Sequence, residues 1–308
     1  MKMKLKHWAR YWWPSLRSGT PELRDVYTKT WGVADKSVYQ SKQIPRKIWI
    51  YWNNHPIDSP TVEICLAEIK RLHPDYAVLV LNQETLSEYL PNFPLEILKS
   101  PALSSDLIRL KLLAEHGGFY LDASTLLSEN LDWVSALQQQ DGSEAVLYYT
   151  DENTTSKQHP MLESSFIGAI KGSRFIKEWL AEFEKCLSEH SSIEYMKKFG
   201  NFDIAEFPLD LDYYPVYLTA QVLMRRDQNF RLSIIRAEDD FFLYSLGVKK
   251  KWGEVEMAEI LLLNKTPDPK PKTVKLIRYA RRRLDFYIRR GMYKEGSWMG
   301  DLILKKQS

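Results

Sequence analysis

Between Lys47 and Asp122 the chain alternates β-prone runs with helical ones, and this alternation restricts the fold more than any other feature. "IPRKIWIYW" reads as a strand over Lys47–Trp52, introduced by Pro45. After the loop "NNHPIDSP", the stretch "TVEICLAEIKRLHP" sets Val62, Cys65, Leu66 and Ile69 on one helical face. "YAVLVLN" is a continuous apolar run, the pattern of a parallel strand covered on both sides. "QETLSEYL" reads as a short helix. Strand, helix, strand, helix is the signature of an α/β sheet.

The next unit, "SPALSSDLIRLKLLAEHGG", reads as a helix capped by Ser104 or Ser105, with Asp106 in its first turn where the helix dipole favours an acid. Leu107, Leu110 and Ala114 form a core stripe, and Asp106, Arg109 and Leu113 share a face at i, i+3 and i+7. Gly117 and Gly118 stop the helix, and Phe119-Tyr120-Leu121 follows as a strand. Asp122 stands at its carboxyl end, where open α/β sheets hold ligands, and Ser124 follows where a second acid would stand. Downstream, "AVLYYT" reads as a strand and "SSFIGAIKGSRFIKEWLAEFEKCL" as a small strand, a turn and a helix. "LDYYPVYLTAQVLMRRD" is helical after Pro215, and "FRLSIIRA" and "EILLLNKT" read as strands. "TPDPKPKT" reads as a Pro-broken linker. The predicted organisation is a helical basic-aromatic extension over 1–43, a nucleotide-binding α/β domain over 44–266 and a basic helical segment over 267–308.

Of the 308 residues 44% are hydrophobic, enough for a sizeable core. Cys65 and Cys186 are far apart and lack metal-spaced partners, which favours a reducing compartment and argues against a disulfide framework or a cysteine zinc site. No apolar run nears the ~18–20 residues that span a bilayer, and the N-terminus lacks a signal-peptide core, so a soluble cytoplasmic protein is expected. The net charge of +3 hides basic ends. "MKMKLKHWARYWWPSLR" interleaves cations with Trp8, Tyr11, Trp12 and Trp13, and the tail collects Lys249-Lys250-Lys251, Arg281-Arg282-Arg283 and Arg289-Arg290. That composition suits the anionic inner face of a membrane, or a solvated helix packed on the body. The histidines are scattered, Asp210-Leu211-Asp212 reads as structural and Asp239-Asp240 as a loop, and no GxSxG, GxGxxG or GKS/T motif is present.

Asp106, Arg109, Gly117, Gly118, Tyr120 and Asp122 thus lie within seventeen residues of a helix–turn–strand unit. Such a group suits a nucleotide sugar, whose hydroxyls need acceptors and donors and whose diphosphate needs a hard cation. The segment "SDLIRLKLLAEHGGFYLDAST" resembles the donor-binding core of glycosyltransferase family 32 and the related capsular polysaccharide synthesis proteins, and more distantly the large glucosylating toxins. "IPRKIWIYW" resembles the family's first strand and "SSFIGAIKGSRFIKEW" its middle segment.

The resemblance implies a GT-A-like sheet and sugar transfer, with retained anomeric configuration, from a UDP-sugar to a lipid-linked oligosaccharide of a bacterial surface polysaccharide at the inner membrane face. It further implies that Trp52 stacks on uracil, Asp106 and Arg109 hold the sugar, and Tyr120 lines the nucleotide pocket. Asp122 becomes the first acid of a DXD motif, on ribose and a weakly bound Mn²⁺ or Mg²⁺, with Ser124 as a neutral second ligand. Asn264-Lys265 and Ser297-Trp298 stand where the family carries a further ligand, and Lys265 would neutralise a phosphate if no metal did. A nucleotide-sugar binder without turnover, a sugar-phosphate transferase and a basic surface or nucleic-acid binder are the alternatives; no nucleic acid partner is expected.

Overall fold

The computed structural model describes residues 5–53, 56–93, 100–199, 214–246 and 253–307. His55, Asp210-Leu211-Asp212 and Lys249-Lys250-Lys251 lie outside them. The strands are β1 (Thr28–Trp31), β2 (Lys47–Tyr51), β3 (Ala77–Leu81), β4 (Gly118–Leu121), β5 (Thr125–Leu127), β6 (Ala145–Thr150), β7 (Met161–Ala169), β8 (Leu232–Arg236) and β9 (Thr273–Lys275). The helices are α1 (Leu5–Trp12), α2 (Pro60–Leu72), α3 (Pro101–His116), α4 (Asp132–Asp141), α5 (Arg174–Ser188) and α6 (Ser192–Met196). After them come α7 (Pro215–Arg226), α8 (Leu243–Leu246), α9 (Glu254–Leu262), α10 (Arg278–Ile288) and α11 (Trp298–Gln307).

Among the described residues seven strands form one mixed sheet in the order β1-β8-β6-β7-β4-β2-β3, with β5 and β9 as a separate antiparallel pair. β2 runs parallel to both β3 and β4, so their carboxyl ends, carrying Trp52 and Asp122, open on one edge. Side chains alternate across the sheet. Phe119 and Leu121 join Val62, Leu66 and Ile69 in one core layer. Tyr120 joins Leu107, Leu110 and Trp179 in the other, beneath α3 and α5. The Asp122 N–H donates to Ser165 O at 3.0 Å, continuing the β4–β7 ladder by one residue. Asp122 therefore faces α3, as Tyr120 does.

The α/β expectation holds, with four local differences. Only part of the N-terminal extension is helical; Thr28–Trp31 is an edge strand, antiparallel to β8. β3 is at the opposite edge and half-buried rather than covered on both faces. α3 begins at Pro101 after Ser100, a turn earlier than the serines Ser104 and Ser105 suggest. "EILLL" is the end of helix α9, and the true last strand, β9, starts at Thr273, the final residue of the run read as a linker, and continues beyond it. The C-terminal helices are integral: Leu284, Tyr287 and Trp298 share a core with Cys65 of α2 and Ile260 of α9.

Candidate active site

α3 runs into β4 through Gly117 and Gly118, so the start of the helix lies near the end of the strand. Gly117 has φ 65° and Gly118 φ 99°; a Cβ on either would come within 2.6 Å of backbone, at Lys171 N and Lys47 O respectively. Only glycine fits this reversal. On α3 the Arg109 guanidinium bridges two acids: Nη1 to Asp106 at 2.6 Å and Nη2 to Asp122 at 3.0 Å. It also donates to the Ser164 hydroxyl and, at 3.3 Å, to Ser105, while its carbon sits 4.9 Å from the Tyr120 ring centroid. The planar fork of arginine suits this multiple pairing, which lysine's single ammonium would not reproduce.

Two clefts meet at Ser105 and Asp122. One, about 390 Å³, is lined by Asp106, Arg109, Glu163, Tyr217 and Lys275 as well. Glu163 accepts from Tyr217 OH at 2.8 Å and from the Ser165 hydroxyl at 2.8 Å, so its orientation is fixed. The other, about 410 Å³, is lined by Trp52, Asn53, Ser124, Arg278 and Arg281. Arg281 covers one face of Trp52, its guanidinium carbon 4.7 Å from the ring centroid, and the buried indole N–H of Trp52 has no hydrogen-bond partner among the described residues.

Lys275 reaches Asp122 because β9 pairs with β5, the strand that follows the Asp122 turn: Thr125 stands opposite Lys275, and Leu276 N–H donates to Ser124 O at 2.9 Å. Asp240 anchors this strand from below. Its carboxylate accepts from Lys272 N at 2.6 Å and, within the core, from Thr273 Oγ1 at 2.7 Å and Tyr148 OH at 2.5 Å. Lys275 then lies in the cleft wall with its side chain only 10% exposed, in an ion pair with Asp122 Oδ2.

The two acids share one guanidinium but differ because only Asp122 also has Lys275. Burial pushes the Asp106 carboxyl up to about 6, and Arg109 opposes this only in part. Burial would raise Asp122 too, but Lys275 and Arg109 together outweigh it and hold that carboxyl below the usual range. Burial likewise raises the Tyr120 phenol to about 12, keeping it a neutral donor and acceptor.

A divalent cation takes six or more oxygens, carboxylates foremost. Here both Asp122 oxygens are in ion pairs, and Ser124 offers a neutral hydroxyl. No three His, Cys, Asp or Glu side chains among the described residues are grouped to hold a metal. The residues present do not fit the Mn²⁺ or Mg²⁺ expected from the sequence.

Of the residues singled out in the sequence, Trp52, Asp106, Arg109, Asp122 and Ser124 line the two clefts. Gly117 and Gly118 do not: they are at the far end of β4, and their part is the chain reversal. Tyr120 is wholly buried and supports Arg109 from beneath, its hydroxyl 3.1 Å from Ser105 Oγ. Lys265 is exposed on a loop outside either cleft, and its neighbour Asn264 donates to Ser18 O at 2.9 Å. Ser297 is buried, donating to the Leu262 and Lys294 carbonyls ahead of α11. Neither Asn264 nor Ser297 adjoins Asp122. Lys275, Arg278, Arg281 and Glu163 were not foreseen as site residues; the basic run had marked Arg281 only as part of a tail.

Residues 18–205, more than half of the chain, match the family described as capsular polysaccharide synthesis protein. Lys275 and Arg281 lie beyond that match. The O-glycosyltransferase braB of Annulohypoxylon truncatum is 26% identical over 159 residues, 46% of this chain and 37% of that protein. The glycosyltransferase afumC of Aspergillus fumigatus is 29% identical over 153 residues, 44% and 38% respectively. The chain thus spans under two-fifths of the length of these curated relatives. The apo-form glycosyltransferase GlyE of Streptococcus pneumoniae superposes at a TM-score of 0.40 with 12% identity, covering 82% of this chain and 65% of GlyE. By the extent of the family match, this chain belongs to the capsular polysaccharide synthesis protein family.

Proposed function

We propose that the protein is a glycosyltransferase that moves a sugar from a UDP-sugar to a bacterial surface polysaccharide acceptor with retention of configuration. The observation that carries this is the meeting of two clefts at Asp122. One wall is aromatic and cationic, suited to a base and a diphosphate; the other offers carboxylates and hydroxyls, suited to a sugar. The combined space, two volumes of about 400 Å³, falls within the usual range for ligand sites.

In this reading the uracil lies at Trp52 and the diphosphate runs past Arg281 and Lys275. The sugar enters the cleft of Asp106, Arg109 and Glu163, where the two carboxylates accept from its hydroxyls and the guanidinium donates. The acceptor hydroxyl attacks the anomeric carbon on the face the diphosphate leaves, and its proton passes to a phosphate oxygen. The chain's part is to fix the sugar's orientation and to stabilise the charge developing on the leaving oxygen. The acceptor is lipid-linked, and the protein meets it as a cytoplasmic enzyme held at the membrane's inner face.

The test is proton NMR of a panel of UDP-sugars incubated with the protein. Release of UDP together with a sugar whose first-formed anomer matches the donor supports the proposal. Release of the opposite anomer refutes retention, and failure to turn over any nucleotide sugar, despite binding UDP, moves the protein to the binding-only class.

A further inference from the structure

We propose that, in the donor site just described, Lys275 and Arg281 take the place of a divalent cation, so that donor binding and turnover are independent of metal. The inference rests on that donor-site reading and on four observations about the surroundings of Asp122.

The acid that a metal would use is already neutralised from two sides. Asp122 Oδ1 pairs with Arg109 at 3.0 Å and Oδ2 with the Lys275 ammonium. A divalent ion approaching this carboxylate meets two fixed positive charges, and like charges this close repel strongly where burial lowers the dielectric. The partner position is a serine, Ser124, whose uncharged oxygen does not offset that repulsion. The other residues expected to complete a shell are held elsewhere: Asn264 by Ser18 O and Ser297 by the Leu262 and Lys294 carbonyls.

What the site has in a metal's stead is a pair of cations from the C-terminal segment. Lys275 is held in the wall of the first cleft by β9, and Arg281 in the wall of the second by its stacking on Trp52. Asp122 borders both clefts, so a diphosphate passing from the base cleft to the sugar cleft passes between these two groups. An ammonium carries three donors; with Asp122 taking one, a phosphate oxygen can take another. Charge-assisted hydrogen bonds from lysine and arginine to phosphate are among the strong ones.

The balance of the step needs nothing further. The bond between the anomeric carbon and the β-phosphate oxygen breaks with its electron pair going to that oxygen. The acceptor oxygen forms the new bond to carbon, and its proton moves to a phosphate oxygen. Lys275 and Arg281 stay protonated throughout and hold the charge that gathers on the diphosphate.

The test is calorimetric titration of UDP into the full-length protein, in EDTA and then with Mn²⁺ or Mg²⁺, alongside Lys275→Ala and Lys275→Arg variants compared by thermal melting. The expected result is UDP binding in EDTA that the metals change by less than about twofold. Lys275→Ala should weaken it at least about tenfold, the loss of one charge-assisted bond, and Lys275→Arg should retain most of it. A tenfold or greater gain on adding metal to the wild type overturns the inference while leaving the donor site in place, and this arm needs no variant to fold. Absence of binding by UDP, GDP and CDP under every condition overturns the donor-site reading, and the inference with it.

Discussion

Arg109 is the residue on which the site depends, because it ties two acids from different elements into one array: Asp106 from its own helix and Asp122 from the end of β4. The spacing of Asp106 and Arg109 was readable, since residues three apart share a helix face. That Tyr120 and Asp122 fall on one side of their strand follows from alternation, but the approach of Arg109 to Asp122 is set by tertiary packing. The helix-dipole explanation for Asp106 was not correct: with Pro101 opening the helix, Asp106 sits in its second turn, beyond the reach of the first. Its ionisation is instead limited by burial. For an acid whose carboxyl is raised to about 6 from 3.8, the folded state favours the neutral form. The cost of ionising it in the fold therefore grows from about pH 3.8 to about pH 6 and is constant above. In the proposed donor site Asp106 accepts from sugar hydroxyls as the carboxylate, so kcat/KM should rise through about pH 6. In Asp106→Asn that acid limb should disappear along with most of the activity, measured as a pH–rate profile of UDP-sugar hydrolysis. An unchanged limb in the variant would assign the titration to another group.

Among the elements, α3 and β4 were legible and β9 was not, for a physical reason. The helix announces itself by its period and by the glycines that end it, both local signals. β9 is three residues long, follows a proline-rich run, and exists through its pairing with β5 and its attachment to Asp240. Those partners lie far away in sequence, beyond any local pattern. α9 was misread for the complementary reason: a short apolar run looks the same in a buried helix as in a buried strand. Asp240, dismissed as a loop acid, is thereby the positioning residue of Lys275. Asp240→Asn replaces one accepting oxygen with a donor and leaves the Tyr148 or Thr273 hydroxyl without its acceptor. The expected cost is about 1–3 kcal/mol of stability by urea unfolding. The donor KM should also rise more than kcat falls, since loosening β9 displaces the Lys275 ammonium proposed to meet the diphosphate; an unaltered KM would show that Lys275 keeps its place without this anchor.

At the scale of the molecule, the two ends of the chain have different parts. The C-terminal segment belongs to the site: truncation before Lys275 would remove Lys275, Arg278 and Arg281 together. The N-terminal segment is strapped to α9, with Arg10 paired to Glu259 at 2.7 Å and Arg17 donating to Leu263 O at 2.6 Å. That strapping turns these cations inward and leaves Trp12 and Trp13 62% and 60% exposed, with Leu16 beside them. No helix among the described residues is long and apolar enough to cross a membrane. Exposed tryptophans with an exposed leucine beside them favour the interface of a bilayer. The wild type should therefore sediment with vesicles containing phosphatidylglycerol, and Trp12→Ser with Trp13→Ser should weaken this about tenfold or more without affecting UDP-sugar hydrolysis. Equal sedimentation of both proteins would remove the N-terminus as the anchor.

The most direct measurement is a crystal structure of the protein with UDP bound in the absence of metal. Uracil against Trp52, with the diphosphate between Lys275 Nζ and the Arg281 guanidinium and directed towards Asp122, is the expected result. A diphosphate lodged away from Asp122 would contradict the donor site on which the proposed chemistry rests.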